Sequence, residues 1–207
     1  MKKAIHVSEM TGKLTGFLAV NLNPITSNFC QTMQKKTDYV CQYCYSQAMI
    51  SSFRKRCGPV FSQNAEQMKE PLEDWQIPRF MPTDVVRFLA HGDMDTDMQF
   101  RNFCLIAKTN PETKFTMWTK RKDIVAVNLV HIPANLRMIQ SSRMLGTIDA
   151  PAFGFDAVFT VYEDGVSIPE GMHLCHGKSC AECMYCYNTP HGFIAEVLKK
   201  GSKKLTA

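Results

Sequence analysis

The sequence predicts an α/β protein, a partial (β/α) barrel with cysteine-rich loops near its N- and C-terminal ends. Three observations carry this expectation. Short apolar runs alternate with amphipathic helical stretches through the middle of the chain, the rhythm of parallel strands joined by crossover helices. The 207 residues fall short of the roughly 250 of a full eightfold barrel, so five or six β/α units are expected. Seven of nine cysteines fall into two groups that flank the alternating body.

Taken in order, residues 1–29 read as an entry segment with a strand at Gly16–Asn21, and Leu22-Asn23-Pro24 opens a loop. From Cys30 to Cys44 the sequence is polar and irregular, as a cluster-binding loop would be. Helical stretches are expected over 45–57 and 59–71, and Pro71 and Pro78 break the segment after them. Val85–Ala90 is a short apolar strand ending in His91-Gly92-Asp93. Residues 95–108 form an amphipathic helix. Asp95 or Thr96 is its N-cap, and Phe100, Phe103, Cys104 and Ala107 share one face. Asn110-Pro111 ends it. Lys114–Thr119 is the next strand, 122–130 a short helix, Leu136–Gln140 a strand running into Ser141-Ser142-Arg143, and Ala157–Tyr162 another. A single domain over 1–207 accommodates all of this, with no internal repeat.

With 45% hydrophobic and 21% charged residues, the composition excludes wholesale disorder, collagen and coiled coil. No stretch reaches the roughly 18 apolar residues of a membrane helix. His6, Ser8 and Glu9 interrupt the basic start before an apolar signal core can form, so a cytoplasmic location is expected. The formal net charge of +5 is modest for a dedicated nucleic-acid binder. The basic clusters at 54–56, 120–122 and the tail carrying Lys199, Lys200, Lys203 and Lys204 are short and scattered, as solvated faces are.

The cysteines are more specific. Cys175, Cys180, Cys183 and Cys186 form C-x4-C-x2-C-x2-C, four thiols within twelve residues. Such spacings hold a metal or an iron–sulfur cluster. Cys30, Cys41 and Cys44 form a group of three, one ligand short of a closed centre. Either Cys57 or another residue completes it, or the site is open so that one metal can bind a small molecule. Zinc is the rival metal, since four thiolates suit it. Cys104 reads as a buried small hydrophobe. Tyr43, Tyr45, Tyr185 and Tyr187 flank cysteines and can shield a cluster or simply pack. His91, His173 and His176 are further possible ligands or hydrogen-bonded neighbours.

Barrel-type folds place their chemistry at the C-terminal ends of strands. There the sequence places Gly92 and Asp93, Lys120 and Arg121, and Ser141 with Ser142 and Arg143. Gly92 allows close backbone approach of a ligand. Asp93 can accept hydrogen bonds from an amine or ribose hydroxyl, or cap the next helix. Lys120 and Arg121 can hold the carboxylate or phosphate of a small-molecule ligand.

The run Cys30…Cys41-Gln-Tyr-Cys44-Tyr45, the block Val86-Arg87-Phe88…His91-Gly92-Asp93, the block Phe115-Thr116-Met117-Trp118-Thr119-Lys120-Arg121 and the closing Cys175…Cys186 together resemble the phage gene product 88 family, from about residue 16 to 190. A looser likeness is to radical S-adenosylmethionine (SAM) enzymes, in which three cysteines after the first strand of a partial barrel hold a [4Fe–4S] cluster whose fourth iron binds SAM. Their usual spacing is C-x3-C-x2-C, whereas ten residues separate Cys30 from Cys41 here. In that likeness His91-Gly92-Asp93 stands where a Gly-rich motif meets the SAM amino group, and the closing four cysteines parallel an auxiliary cluster. The two cysteine groups with cluster spacing point to one or two [4Fe–4S] clusters, and the phage resemblance implies the host cytoplasm. It leaves three function classes: a radical-SAM-like enzyme, a non-catalytic or redox iron–sulfur protein, and a zinc-binding nucleic-acid-associated protein.

Overall fold

The computed structural model describes residues 2–177, 179–189, 191–198 and 203–205; Lys199 and Lys200 of the basic tail lie outside them. Its strands are β1 (Ser8–Glu9), β2 (Leu18–Val20), β3 (Val85–Phe88), β4 (Lys114–Thr119), β5 (Leu136–Ser141), β6 (Ala157–Tyr162), β7 (His173–Leu174) and β8 (Gly192–Val197). Its α-helices are α1 (Asn28–Gln34), α2 (Tyr45–Ser51), α3 (Cys57–Gln67), α4 (Asp97–Thr109), α5 (Lys122–Ala126), α6 (Cys180–Cys183) and α7 (Tyr185–Asn188). One sheet holds all eight strands in the order β1-β2-β3-β4-β5-β6-β8-β7. Only the β1–β2 pairing is antiparallel.

From β2 to β6 the spatial order follows the chain order, as the alternating pattern predicted. The sheet stays open, with the two-residue strands β1 and β7 at its edges, so the expected α/β class is formed and the sheet does not close into a barrel. The β5–β6 connection also lacks an α-helix among the described residues, which leaves four helix-bearing connections between parallel neighbours instead of five or six units.

Successive side chains of a strand point to opposite faces, and the two faces carry different cores. Val20, Val86, Phe88, Phe115, Met117, Leu136 and Met138 pack with Met68 just after α3 and with Phe100 and Phe103 of α4. On the other face, Ala19, Trp118, Ile139 and Ala157 pack with Phe17 and Tyr187, and Cys180 and Cys186 lie against that cluster. Helix α4 buries the predicted face, including Cys104 at 2% exposure. Thr96 is its N-cap, accepting from the Gln99 N–H, while the Gln99 side chain accepts from the Thr96 N–H.

The expected irregular loop from Cys30 to Cys44 is instead largely helical. Cys30 lies in α1, Cys41 in a 3-10 turn at Val40–Tyr43, and Cys44 caps α2, its sulfur accepting from the Gln47 N–H at 3.5 Å. The Ser27 hydroxyl caps α1 through the Cys30 N–H, and distant Asp95 accepts from both the Ser27 hydroxyl (2.8 Å) and the Phe29 N–H (2.9 Å). That second anchor comes from 66 residues away, so no local pattern announces it. Three of the closing cysteines, Cys180, Cys183 and Cys186, are helical too, and Met184, at φ 48°, breaks α6 from α7; Cys175 follows β7.

The exit from β3 is tight. Leu89 has φ 60° and Gly92 φ 76°, both in the left-handed region that costs non-glycine residues about 1–3 kcal/mol. The His91 N–H donates to Asn21 Oδ1 (2.9 Å), and the Leu22 N–H donates to the His91 carbonyl (3.1 Å). The loops after β2 and β3 are thereby stitched together. A Cβ on Gly92 would lie 2.4 Å from the Leu22 carbonyl oxygen. Gly92→Ala is expected to destabilise the fold by roughly 2–4 kcal/mol through strain and backbone clash together, measured by urea unfolding; a change under about 0.5 kcal/mol would contradict this packing.

Candidate functional site

The C-terminal ends of β3 and β4 are bound together by a carboxylate, and a lysine carries the connection on to β5. Asp93 accepts from the Thr119 hydroxyl (2.6 Å) and from the N–H groups of Lys120 (2.9 Å) and Met94 (2.9 Å). Burial raises its pKa above the ordinary carboxylate value, against the opposing pull of these donors and of the Lys120 charge. Asp93 does not cap α4; Thr96 does. The Lys120 ammonium donates to Ser141 Oγ at 2.8 Å, so predicted residues of three strands meet here.

The three N-terminal cysteines face this junction. Cys30, Cys41 and Asp93 interact through their charges, Cys44 interacts with both other thiols, and Lys120 interacts with all three. Burial is the largest influence on each thiol and pushes its pKa above the usual thiol value. Burial alone would lower Lys120, but the surrounding Cys41, Asp93, Cys44 and Cys30 outweigh it and raise its pKa.

Two predicted roles change. Gly92 turns its bare Cα toward the Leu22 carbonyl, so the close approach it permits is between two loops. Arg121 is engaged within the protein: Nε and Nη2 donate to Asp123, and Nη1 donates to the carbonyls of Met94 and Asp95. That leaves its donors committed and not directed at a ligand.

The C-terminal cysteines occupy a separate region, toward the starts of the strands. Arg137, the second residue of β5, donates from Nε to the Cys186 carbonyl (2.8 Å), and Lys114, the first residue of β4, donates to Asn188 Oδ1 (3.2 Å). The charges of Cys175, Cys180 and Cys183 all act on Cys186, whose pKa burial pushes up to about 12. Arg87 lies beside them, with Cys180 and Cys186 among the charges acting on it. Its guanidinium stacks 3.9 Å over the Trp118 ring, and its Nε is buried without a partner. Lys13, ion-paired with Glu196, adds a second cation next to Cys175 and Cys180.

All nine cysteines are free. Among the described residues no three His, Cys, Asp or Glu side chains are arranged to hold a single metal ion. Of the flanking residues, Tyr45 donates to the Ala90 carbonyl (2.7 Å), Tyr187 packs edge-on to Phe17, and Tyr185 stacks on His173 at 3.6 Å. His173 Nε2 lies 3.9 Å from Cys183 Sγ. Cys57 opens α3. Sequence reasoning missed Arg87, read only as part of a motif block, and Asn21, whose side chain joins two loops.

The chain thus has an open, mostly parallel α/β sheet with thiols gathered around a strand-end lysine. The chain belongs to the GP88 (Gene product 88) family, whose family model matches residues 2–154. The match takes in Cys30, Cys41, Cys44, Asp93, Lys120 and Ser141 and stops short of Cys175–Cys186, so it covers less of the chain than the motif resemblance did. No curated protein and no solved structure matches the chain, and the likeness to radical SAM enzymes finds no support among these comparisons. Among the described residues no helix is long and apolar enough to cross a membrane.

His91 supplies a measurable pH signature. Its Nδ1 lies 2.7 Å from Ser46 Oγ, and its ring packs by Phe61. Burial, with Arg54 and Arg87 nearby, lowers its pKa from 6.5 to about 4. Between those values the unfolded chain binds a proton that the folded chain refuses. The stabilisation is therefore complete above pH 6.5 and lost as pH falls toward 4, by on the order of 3 kcal/mol. Urea unfolding at pH 7 and pH 5 should show His91→Phe flattening this acid loss relative to wild type; parallel pH profiles would refute the assignment.

Proposed function

We propose that this is an iron–sulfur protein with two separate centres. Cys30, Cys41 and Cys44 would hold a [4Fe–4S] cluster at the strand ends, leaving one iron for an exogenous ligand. Cys175, Cys180, Cys183 and Cys186 would hold a second cluster on four thiolates.

One observation carries this reading. Lys120 and Arg87 are both half-buried cations, and among the described residues neither makes an ion pair with a carboxylate. A desolvated charge costs several kcal/mol unless it is compensated. Beside these cations lie cysteine sulfurs, three thiols with Asp93 at Lys120, and Cys180 and Cys186 with Tyr187 and Tyr45 at Arg87. Neutral thiols compensate a cation poorly, whereas a thiolate-ligated cluster carries net negative charge.

When bound, such a centre supplies one-electron chemistry, and an open iron adds a coordination position. The residues of the chain would do the rest. Lys120 would hold positive charge against the N-terminal centre, with Ser141 fixing its ammonium and Asp93 fixing its backbone. Arg87 would do the same for the C-terminal centre, braced by Trp118. Anchored donors of this kind set the potential of a cluster. A radical-SAM-type reaction is the enzymatic form of this reading, and a redox protein its non-catalytic form. Cleavage of SAM to 5′-deoxyadenosine by the reduced protein separates the two.

Anaerobic purification with iron, sulfide and zinc analysis is expected to return iron with acid-labile sulfide. Replacing Cys30, Cys41 and Cys44 by Ala should remove roughly half of the iron, and replacing the four C-terminal cysteines the other half. Lys120→Met should lower the potential of the N-terminal centre only. Zinc without sulfide would overturn the proposal.

A further inference from the structure

Along the C-terminal ends of β3, β4 and β5 opens a cavity of about 700 Å3, lined by Phe29, Lys69, Asp95, Arg121, Asp123 and Arg143 among others. A volume of this size suits a small molecule. None of the seven grouped cysteines lines it, so what it binds does not depend on the cluster reading.

Most of its charges are already engaged. Arg121 is held by Asp123 and two carbonyls. The Asp95 carboxylate accepts from the Ser27 hydroxyl and the Phe29 N–H. Lys69 pairs with Glu66 on the surface. Arg143 differs. Among the described residues its guanidinium has no ion-pair partner, and its Nε is buried without a hydrogen bond. Its backbone, by contrast, is fixed. The Arg143 carbonyl accepts from the Val40 N–H at 2.9 Å, and Met144 forms a β-bridge with Tyr39. A buried donor left unpaired carries a desolvation penalty of about 1–3 kcal/mol, which an incoming acceptor relieves.

A guanidinium presents a planar fork that matches a carboxylate or a phosphate. Beside it, the Phe29 ring provides an apolar wall, backed by the Arg121 guanidinium at 4.8 Å. We propose that this cleft binds a small organic anion, its carboxylate or phosphate held by Arg143 and its apolar body lying against Phe29. The recognised group is an oxyanion that accepts from the guanidinium fork, and the two oxyanions are told apart by experiment.

The test is isothermal titration calorimetry of the full chain with benzoate, phenyl phosphate and benzyl alcohol. At least one of the two anions is expected to bind, and the stronger one identifies the oxyanion. Benzyl alcohol, which keeps the ring and lacks the charge, should not bind. Arg143→Gln should weaken the anion by about tenfold or more, while Lys55→Gln, an exposed cation outside the cleft lining, should leave it within about twofold. Arg143→Lys keeps the charge and loses the fork, so it should fall between wild type and Arg143→Gln; circular dichroism of each variant establishes that it is folded. Equal binding of benzyl alcohol, unchanged affinity in folded Arg143→Gln or Arg143→Lys, or no binding of either anion up to roughly 10 mM overturns the proposal.

Discussion

The Asp93 carboxylate is the constraint on which the C-terminal edge of the sheet depends. A buried carboxylate is tolerated only when its oxygens are satisfied, and here the donors come from the next residue and from the end of the neighbouring strand. The bond to the Lys120 N–H fixes the backbone from which the Lys120 side chain departs. That side chain then crosses to Ser141 on β5. One carboxylate thus aligns the ends of three parallel strands and turns the lysine toward the N-terminal thiols.

The electrostatics at both ends of the sheet show the same imbalance. Lys120 and Arg87 are each half-buried beside cysteines, without a carboxylate at ion-pair distance among the described residues. The thiols cannot answer these charges while they remain protonated, and burial pushes Cys30, Cys41, Cys44, Cys180 and Cys186 toward the protonated form. Ligation of thiolates reverses that preference, because a metal stabilises the deprotonated sulfur directly. Under the proposed cluster reading, the two cations would compensate the charge that ligation creates.

The strands with the strongest local signals were legible in the sequence. Lys114–Thr119 and Ala157–Tyr162 match β4 and β6, and the face of α4 follows from Phe100, Phe103, Cys104 and Ala107. These elements bury the residues that their periodicity marks. The short elements were not legible. β1 and β7 have two residues each, too few for a pattern, and β8 carries Gly192 and a mixed face. The helix at Cys30 escaped because its decisive anchor, Asp95, lies far along the chain. The strand ends gave Asp93, Lys120 and Ser141 as a converging set. They also suggested Arg121 as a ligand-binding cation, and nothing in the local sequence distinguishes its intramolecular engagement from the unsatisfied Nε of Arg143. That difference rests on Asp123 and on two carbonyls placed by the fold.

Helix α1 couples the cleft to the thiol site. Consecutive helical residues point about 100° apart, so Phe29 can line the cleft while Cys30 turns toward Lys120 and Asp93. Seven residues are too few to be helical alone, and α1 is held at its N-terminus by Ser27 and by Asp95, which leads into α4. The carbonyl of the same Asp95 accepts from Arg121, whose guanidinium covers the Phe29 ring. A group seated against Phe29 therefore bears on the helix that carries Cys30, and the Asp95–Arg121–Phe29 contact resists its displacement. The cleft and the thiols are chemically distinct, yet they share one short wall whose position is set from the end of β3.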